Sequence, residues 1–169
     1  KIPIRVQECA GFLVNRLLMP YLNEAAMALQ EGAGEAKQID EAMVSFGMPM
    51  GPFALLDSIG NDVSAKVADI LYDAYGSRMK PAPILTALYK AGRMGIKSGA
   101  GFYEYTEEPR EALQSILKKI GREGKSAPFS VERLMMPMVN EAVIALLEGV
   151  AFANDIDIAM MAGTGFPQD

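Results

Sequence analysis

The chain has 169 residues, 50% of them hydrophobic, with 16 Lys and Arg against 21 Asp and Glu, and it contains no histidine. That zero excludes a Ser-His-Asp or Cys-His relay, an imidazole general base and a His-ligated metal site from this stretch. The single cysteine, Cys9, excludes an internal disulfide and a cysteine zinc site and fits a reducing, intracellular setting, while the acidic balance offers no footprint for nucleic acid and no apolar run approaches the roughly 18 residues of a membrane span.

Lys1–Glu8 alternates Ile2, Ile4 and Val6 in the manner of a half-buried strand. All that follows reads as helix, so this strand is expected to be the remnant of a preceding sheet. After the Gly11-Phe12 break comes a long helix whose stripe of Leu17, Leu18, Tyr21, Leu22, Ala25 and Leu29 recurs at helical period and needs a core to face. Pro20 inside it removes one backbone bond, and Gly32 marks its stop. A second helix is expected from about Glu35 to Phe46. Gly51-Pro52 then opens a third over Phe53–Ile59, with Pro52 suited to a first helical position. Asn61 or Asp62 is expected to cap a fourth that carries Val63, Val67, Ile70, Leu71 and Ala74. A short helix around Ile84–Ala91 leads into the glycine-rich stretch Gly92–Tyr105, and the charged segment Glu107–Ser126 is expected to be an exposed helix plus linker.

The chain then repeats itself. Arg16–Gly32 (RLLMPYLNEAAMALQEG) and Arg133–Gly149 (RLMMPMVNEAVIALLEG) agree at 11 of 17 positions without a gap. At the same offset IDEAM (39–43) matches IDIAM (156–160) at four of five, and each copy reaches a Gly-and-Pro turn, Gly47-Met48-Pro49 and Gly165-Phe166-Pro167. The chain is a tandem duplication. The second long helix is expected to bury Leu134, Val139, Ala142, Leu146 and Leu147, and Asn154 or Asp155 to cap the helix after it.

Several groups invite a chemical reading. Gly95, Gly99 and Gly101 do not follow the P-loop order, and no G-x-G-x-x-G follows a strand. A tight turn ahead of Phe102, Tyr103 and Tyr105 is one reading of this cluster, and an anion site using Lys97 and Arg93 the other. Asn15 falls at the start of the first long helix, where a carboxamide has both donor and acceptor and the helix end adds partial positive charge. It serves either its own backbone or a ligand, and its counterpart in the second copy is Glu132. Asp40-Glu41 and Asp155/Asp157 read as solvated helix starts, and Asp57 as a structural cap or an interface residue. Most of the 12 methionines read as core filler, with a fraction suited to a flexible groove for an acyl chain.

Ala10–Leu22 (AGFLVNRLLMPYL), Gly47–Asp57 (GMPMGPFALLD) and Ile96–Tyr103 (IKSGAGFY) together resemble the C-terminal domain of 3-hydroxyacyl-CoA dehydrogenases. The second copy resembles the extra C-terminal unit of the multifunctional alpha subunit of fatty-acid oxidation, in which an enoyl-CoA hydratase and a Rossmann domain precede the helical units. Ala10 stands where that family usually has Pro, Asn61 where it often has Leu, and Gln168 where a second Pro is common.

The resemblance implies an all-α fold of two related helical units, like the C-terminal domain of 6-phosphogluconate dehydrogenase, with a residual N-terminal strand from a removed Rossmann domain. Its expected divisions are 1–9 for the strand, 10–106 for the first unit, 107–129 for a linker helix and 130–169 for a truncated second unit. It implies NAD-dependent oxidation of (3S)-3-hydroxyacyl-CoA to the 3-ketoacyl-CoA in cytoplasmic β-oxidation, with the catalytic His and Glu and the NAD site on the missing domain. The fragment alone is then expected to be inactive. Asn15, from the G-F-x-x-N-R motif, is implied to help hold the reacting oxygen, and Met50, Gly51, Pro52 and Phe53 to lie on the acyl-CoA side. Implied partners are acyl-CoA, a second copy in a homo-oligomer and a thiolase beta subunit. A non-catalytic dimerisation or thiolase-docking module is the alternative.

Overall fold

A computed structural model describes residues 3–121 and 128–167. Among these residues are eight α-helices, α1 Val14–Glu31, α2 Ala36–Phe46, α3 Pro52–Ile59, α4 Asn61–Tyr75, α5 Pro83–Lys90, α6 Leu113–Ile120, α7 Val131–Leu147 and α8 Ala153–Thr164, with short 3-10 turns at Gly76–Met79 and Ile96–Ser98. Helix α1 is the axis of the molecule. It packs against α3, α4 and α5 on its own unit's side and against α7 and α8 on the other. Its whole predicted stripe is buried, and so are Met19, Pro20, Ala26 and Ala28. A helix buried on most of its faces lies in an interior, and one continuous core runs from Leu13 to Met160 around it. No helix among the described residues is long and apolar enough to cross a membrane.

Local chemistry sets most boundaries. Pro52 opens α3 at its first turn, and Gly32, Gly47 and Gly165 take the left-handed conformation that closes α1, α2 and α8. Helix α2 starts on a capping box between Glu35 and Gln38. Two expected caps are corrected. Gly60, not Asn61 or Asp62, stands before α4, and the Asn61 carboxamide turns inward to Asp57 and the Arg93 carbonyl. Phe152, not Asn154 or Asp155, stands before α8. Where a chain turn delivers its own geometry, a side-chain cap is dispensable.

Further corrections concern what covers what. The expected N-terminal strand is not formed among the described residues: residues 3–9 keep the alternation, with Ile4 and Val6 half-buried, but pair with no described strand, and Gln7 N–H donates to the Val150 carbonyl at 2.7 Å. Lys1 and Ile2 lie outside the described residues. The charged segment does hold a helix, α6, yet Ile116 and Leu117 are buried, so this helix is amphipathic and docked on α5 rather than exposed. In α7 the expected stripe faces outward. Leu134 is buried, but Val139, Leu146 and Leu147 are exposed, and Met135, Met138, Glu141 and Ala145 take the inner face against α1. No described element covers α7 in the way that α3, α4 and α5 cover α1.

The two copies meet in an antiparallel, reciprocal contact. Arg16, at the start of α1, donates to Glu141 at 2.7 Å and Glu148 at 2.8 Å. Arg133, its counterpart, donates to Glu24 and Glu31, both at 2.7 Å. Glu24 and Glu31 are the counterparts of Glu141 and Glu148. Each copy thus grips the middle and far end of the other with the same residues, as the halves of a two-fold dimer do.

Candidate functional site

Asn15 lies in the first turn of α1, and the chain is turned sharply to put it there. Gly11 has φ 78° and Phe12 φ 51°, consecutive left-handed residues of which the second is not glycine. An L side chain in that region is uncommon and costs of order 1 kcal/mol. A Cβ on Gly11 would also stand 2.8 Å from a Leu71 methyl and 3.2 Å from the Arg16 nitrogen. The turn is closed by Phe12 N–H on the Cys9 carbonyl at 3.0 Å, by the Cys9 thiol on the Phe12 carbonyl at 3.1 Å and by the Tyr75 hydroxyl on the Ala10 carbonyl at 2.9 Å. Phe12 is thereby pushed out, 65% exposed. Asn15 is exposed beside it, and its side chain makes no hydrogen bond to any described residue. No side chain caps this end of α1, and no acidic residue occupies its first turn. A free carboxamide and an open positive helix end therefore share the rim of a hollow of about 220 Å³ lined by Ile4, Val6, Phe12, Val14 and Ala159.

One residue further on, Arg16 is wholly buried. Its guanidinium lies 4.4 Å from the Tyr75 ring centroid, Arg78 lies 4.8 Å from the same ring, and Arg78 also donates to Glu141 at 3.1 Å. Burial works against the Arg16 charge, but the bonds to Glu141 and Glu148 outweigh it and its pKa is raised. Burial and contact with Cys9 push the Tyr75 phenol up to about 12, so it stays a neutral donor to the turn. The start of α1 is thus fastened from beneath by carboxylates of the second copy. Pattern reading missed this arrangement, although the signal was present: the Arg and both Glu are among the positions identical in the repeat.

Met50–Phe53 occupies a different place. Met50 is 39% exposed, whereas Gly51, Pro52 and Phe53 are buried at the start of α3. Asp40 accepts the Phe53 and Ala54 N–H groups at 2.8 and 3.0 Å and the Tyr103 hydroxyl at 2.7 Å. A Cβ at Gly51 would collide with Asp40, which explains glycine there. Burial raises the Asp40 pKa in spite of the Phe53 and Tyr103 bonds that lower it. The hollow beside Asn15 does not include Met50, so the structure does not bring these candidate residues into one pocket.

The glycine cluster closes on Asp57. That carboxylate is fully buried and accepts Phe102 N–H at 2.8 Å, Tyr103 N–H at 3.0 Å, the Tyr105 hydroxyl at 3.0 Å and the Asn61 amide at 3.0 Å. A Cβ on Gly101 would fall on the Asp57 carboxylate. The Phe102 ring packs on Phe53 at 4.8 Å between centroids. Lys97 pairs with Asp62 at 2.5 Å, and buried Arg93 with Glu104 at 2.6 Å and two backbone carbonyls. The cations that an anion site would need are already engaged, and the segment is a structural buckle. No cluster of His, Cys, Asp and Glu among the described residues has the makings of a metal site.

Comparison with known proteins agrees with this architecture. Fatty acid oxidation complex subunits alpha of Shewanella amazonensis and Vibrio cholerae are each 42% identical over 99% of the chain, which spans about a quarter of their length, 24%. Crystal structures of 3-hydroxybutyryl-CoA dehydrogenase from Escherichia coli (TM-score 0.84, 25% identity) and of the dehydrogenase part of multifunctional enzyme 1 from C. elegans (TM-score 0.71, 28% identity) each align with 99% of the chain, covering 53% and 40% of those proteins. The model of the 3-hydroxyacyl-CoA dehydrogenase C-terminal domain matches residues 11–105 and again 129–168. With both copies matched and the helical fold shared, the chain belongs to the 3-hydroxyacyl-CoA dehydrogenase C-terminal domain family.

Proposed function

We propose that this chain is the substrate-side and dimerisation part of a cytoplasmic, NAD-dependent (3S)-3-hydroxyacyl-CoA dehydrogenase of fatty-acid β-oxidation. The observation that carries the reading is Asn15: an exposed carboxamide without a partner among the described residues, on a turn fixed by two left-handed residues and a buried Arg16. Its N–H donates to the substrate oxygen as the hydroxyl becomes a ketone. A donor already aimed at that oxygen gives up no reorganisation energy when charge develops there. Met50 is the exposed member of its segment and meets the acyl-CoA, while Gly51, Pro52 and Phe53 hold α3 in place beneath it.

The residues described here do not fit NAD. A dinucleotide cradle needs a glycine turn between strand and helix, and the glycine loop of this chain is closed on Asp57. The catalytic His and its Glu, with the NAD site, are assigned to a separate Rossmann domain. The isolated chain is therefore expected to show no turnover of acetoacetyl-CoA with NADH, and turnover above blank overturns the assignment. In the multidomain enzyme, Asn15→Ala is expected to lower kcat by about 10²-fold with KM little changed. An unchanged kcat removes Asn15 from the site.

A second reading, a docking module for a second copy or a thiolase subunit, is favoured by the apolar side chains that unit two leaves in solvent, Leu147 at 80% and Phe152 at 81% exposure. The kinetic effect of Asn15→Ala separates the two, since a pure docking module leaves kcat unmoved.

A further inference from the structure

Both ends of the turn that carries Asn15 are tied to one buried carboxylate of the second copy, Glu141. On the exit side Arg16 Nε donates to Glu141 Oε1 at 2.7 Å, and Arg16 Nη2 to Glu148 at 2.8 Å. On the entry side the path has one more step. Arg78 Nε donates to Glu141 Oε2 at 3.1 Å and its Nη1 to the Tyr75 carbonyl at 3.0 Å. The Tyr75 hydroxyl in turn holds the Ala10 carbonyl at 2.9 Å, and both guanidinium groups lie on the Tyr75 ring. Asn15 and Arg16 are neighbours in the first turn of α1, so their side chains leave the helix about 100° apart. Fixing Arg16 inward therefore fixes the direction in which Asn15 points out.

We propose that Glu141 is a positioning residue of the dehydrogenase, which rests on Asn15 meeting the substrate oxygen as proposed above. Through Arg16 and Tyr75 it holds the Asn15 carboxamide on its aim, so that the second copy completes the site on the first. Two observations favour this over plain adhesion between the copies. The matching clamp repeats the 2.7 Å contacts from Arg133 to Glu24 and Glu31, but its side chains are 21–26% exposed and the residue ahead of the arginine is Glu132. The wholly buried arginine is the one that follows the carboxamide. A buried ion pair adds little net stability over apolar packing of the same volume, and its best-attested use is to select one arrangement. The Gly11-Phe12 turn needs that selection, because two successive left-handed residues, one of them not glycine, are held against their own preference.

Steady-state kinetics of the multidomain enzyme with acetoacetyl-CoA and NADH test the proposal. Glu141→Gln, which keeps the volume and removes the charge, is expected to lower kcat about tenfold with KM within about twofold, since a misplaced catalytic group loses rate rather than binding. Tyr75→Phe, which removes only the hydroxyl on the Ala10 carbonyl, is expected to lower kcat about threefold, and it decides the matter if Glu141→Gln does not fold. Glu24→Gln, the same change in the other clamp, is expected to leave kcat unmoved. In the Asn15→Ala background Glu141→Gln is expected to lower kcat no further, because groups that act as a unit are not additive. An undiminished kcat in Glu141→Gln or Tyr75→Phe overturns the proposal. So does a loss that persists at full size in the Asn15→Ala background, or an equal loss in Glu24→Gln, either of which makes the contact merely structural. The two failures are distinct: if Asn15→Ala leaves kcat unmoved, the reading of Asn15 falls and this role with it, whereas a fall with Asn15→Ala and none with Glu141→Gln removes the positioning role alone.

Discussion

Helices α1 and α7 start from nearly the same seventeen residues and end in different surroundings. Every member of the α1 stripe is buried, whereas α7 buries only the strip that meets α1. The identical positions include those that grip the opposite copy, Arg16 and Arg133 with their paired glutamates, and Asn23, which seats the entry to α5 and whose counterpart Asn140 is exposed. The repeated sequence therefore encodes the interface twice, while burial of the remaining side chains depends on what packs against each copy.

Substitutions in matched pairs test this contrast. The largest difference is expected in the apolar layer: Phe53→Ala empties a full side chain from the core and should cost about 3–5 kcal/mol, whereas Phe152→Ala at the start of α8 should stay within about 0.5 kcal/mol, both read from urea midpoints. Equal costs would break the comparison. Next come the two clamps. Arg16→Ala leaves Glu141 buried without its closest partner and should cost about 3 kcal/mol. Arg133→Ala removes a partly exposed guanidinium and should cost about 1 kcal/mol. Chemical denaturation of both variants in one buffer shows whether burial, rather than pairing, sets the scale.

Asp40, which holds the start of α3, and its exposed counterpart Asp157 form a third pair. Asp40→Ala is expected to cost about 1–2 kcal/mol through the lost helix-start bonds, and Asp157→Ala to leave the melting temperature unmoved. The smallest effect concerns acid. Hydrogen bonding from Lys97 holds Asp62 below its ordinary 3.8, and its own backbone N–H, then Ser130, holds Glu132 below its ordinary 4.5. A carboxyl depressed in the folded state adds stability above its unfolded pKa, and that stability is lost as pH falls through the folded one. Asp62→Asn and Glu132→Gln should each flatten the decline in stability on acidification below those values, with the slope near neutrality unchanged.

Much of this fold could be read directly. Helical period located each long helix, Pro52 and the terminal glycines marked ends, and the repeat announced two related units. Misreadings arose where tertiary structure overrode local preference. Asn61 has cap chemistry, but a buried Asp57 one turn back claims its amide. The α7 stripe has core periodicity, but periodicity does not say whether a partner layer is present. Ser130, which accepts Arg133 N–H at 3.2 Å, is a plain helix-start signal that the charged linker ahead of it obscured. At the candidate site, the motif placed Asn15 at the helix start, but its isolation from other side chains could be seen only in three dimensions. The Arg16–Glu141 bond joins residues 125 apart and required the antiparallel crossing of two helices that nothing local specifies.

The reciprocal clamp also bears on dilution. Two separate copies held together by such contacts would part as concentration fell, exposing Arg16 and Glu141 to water. Here both halves of the contact lie on one polypeptide, so the association is first order in protein and persists at any concentration. The two copies keep both sides of a two-fold contact within one chain, and the turn that presents Asn15 rests on a partner it cannot lose.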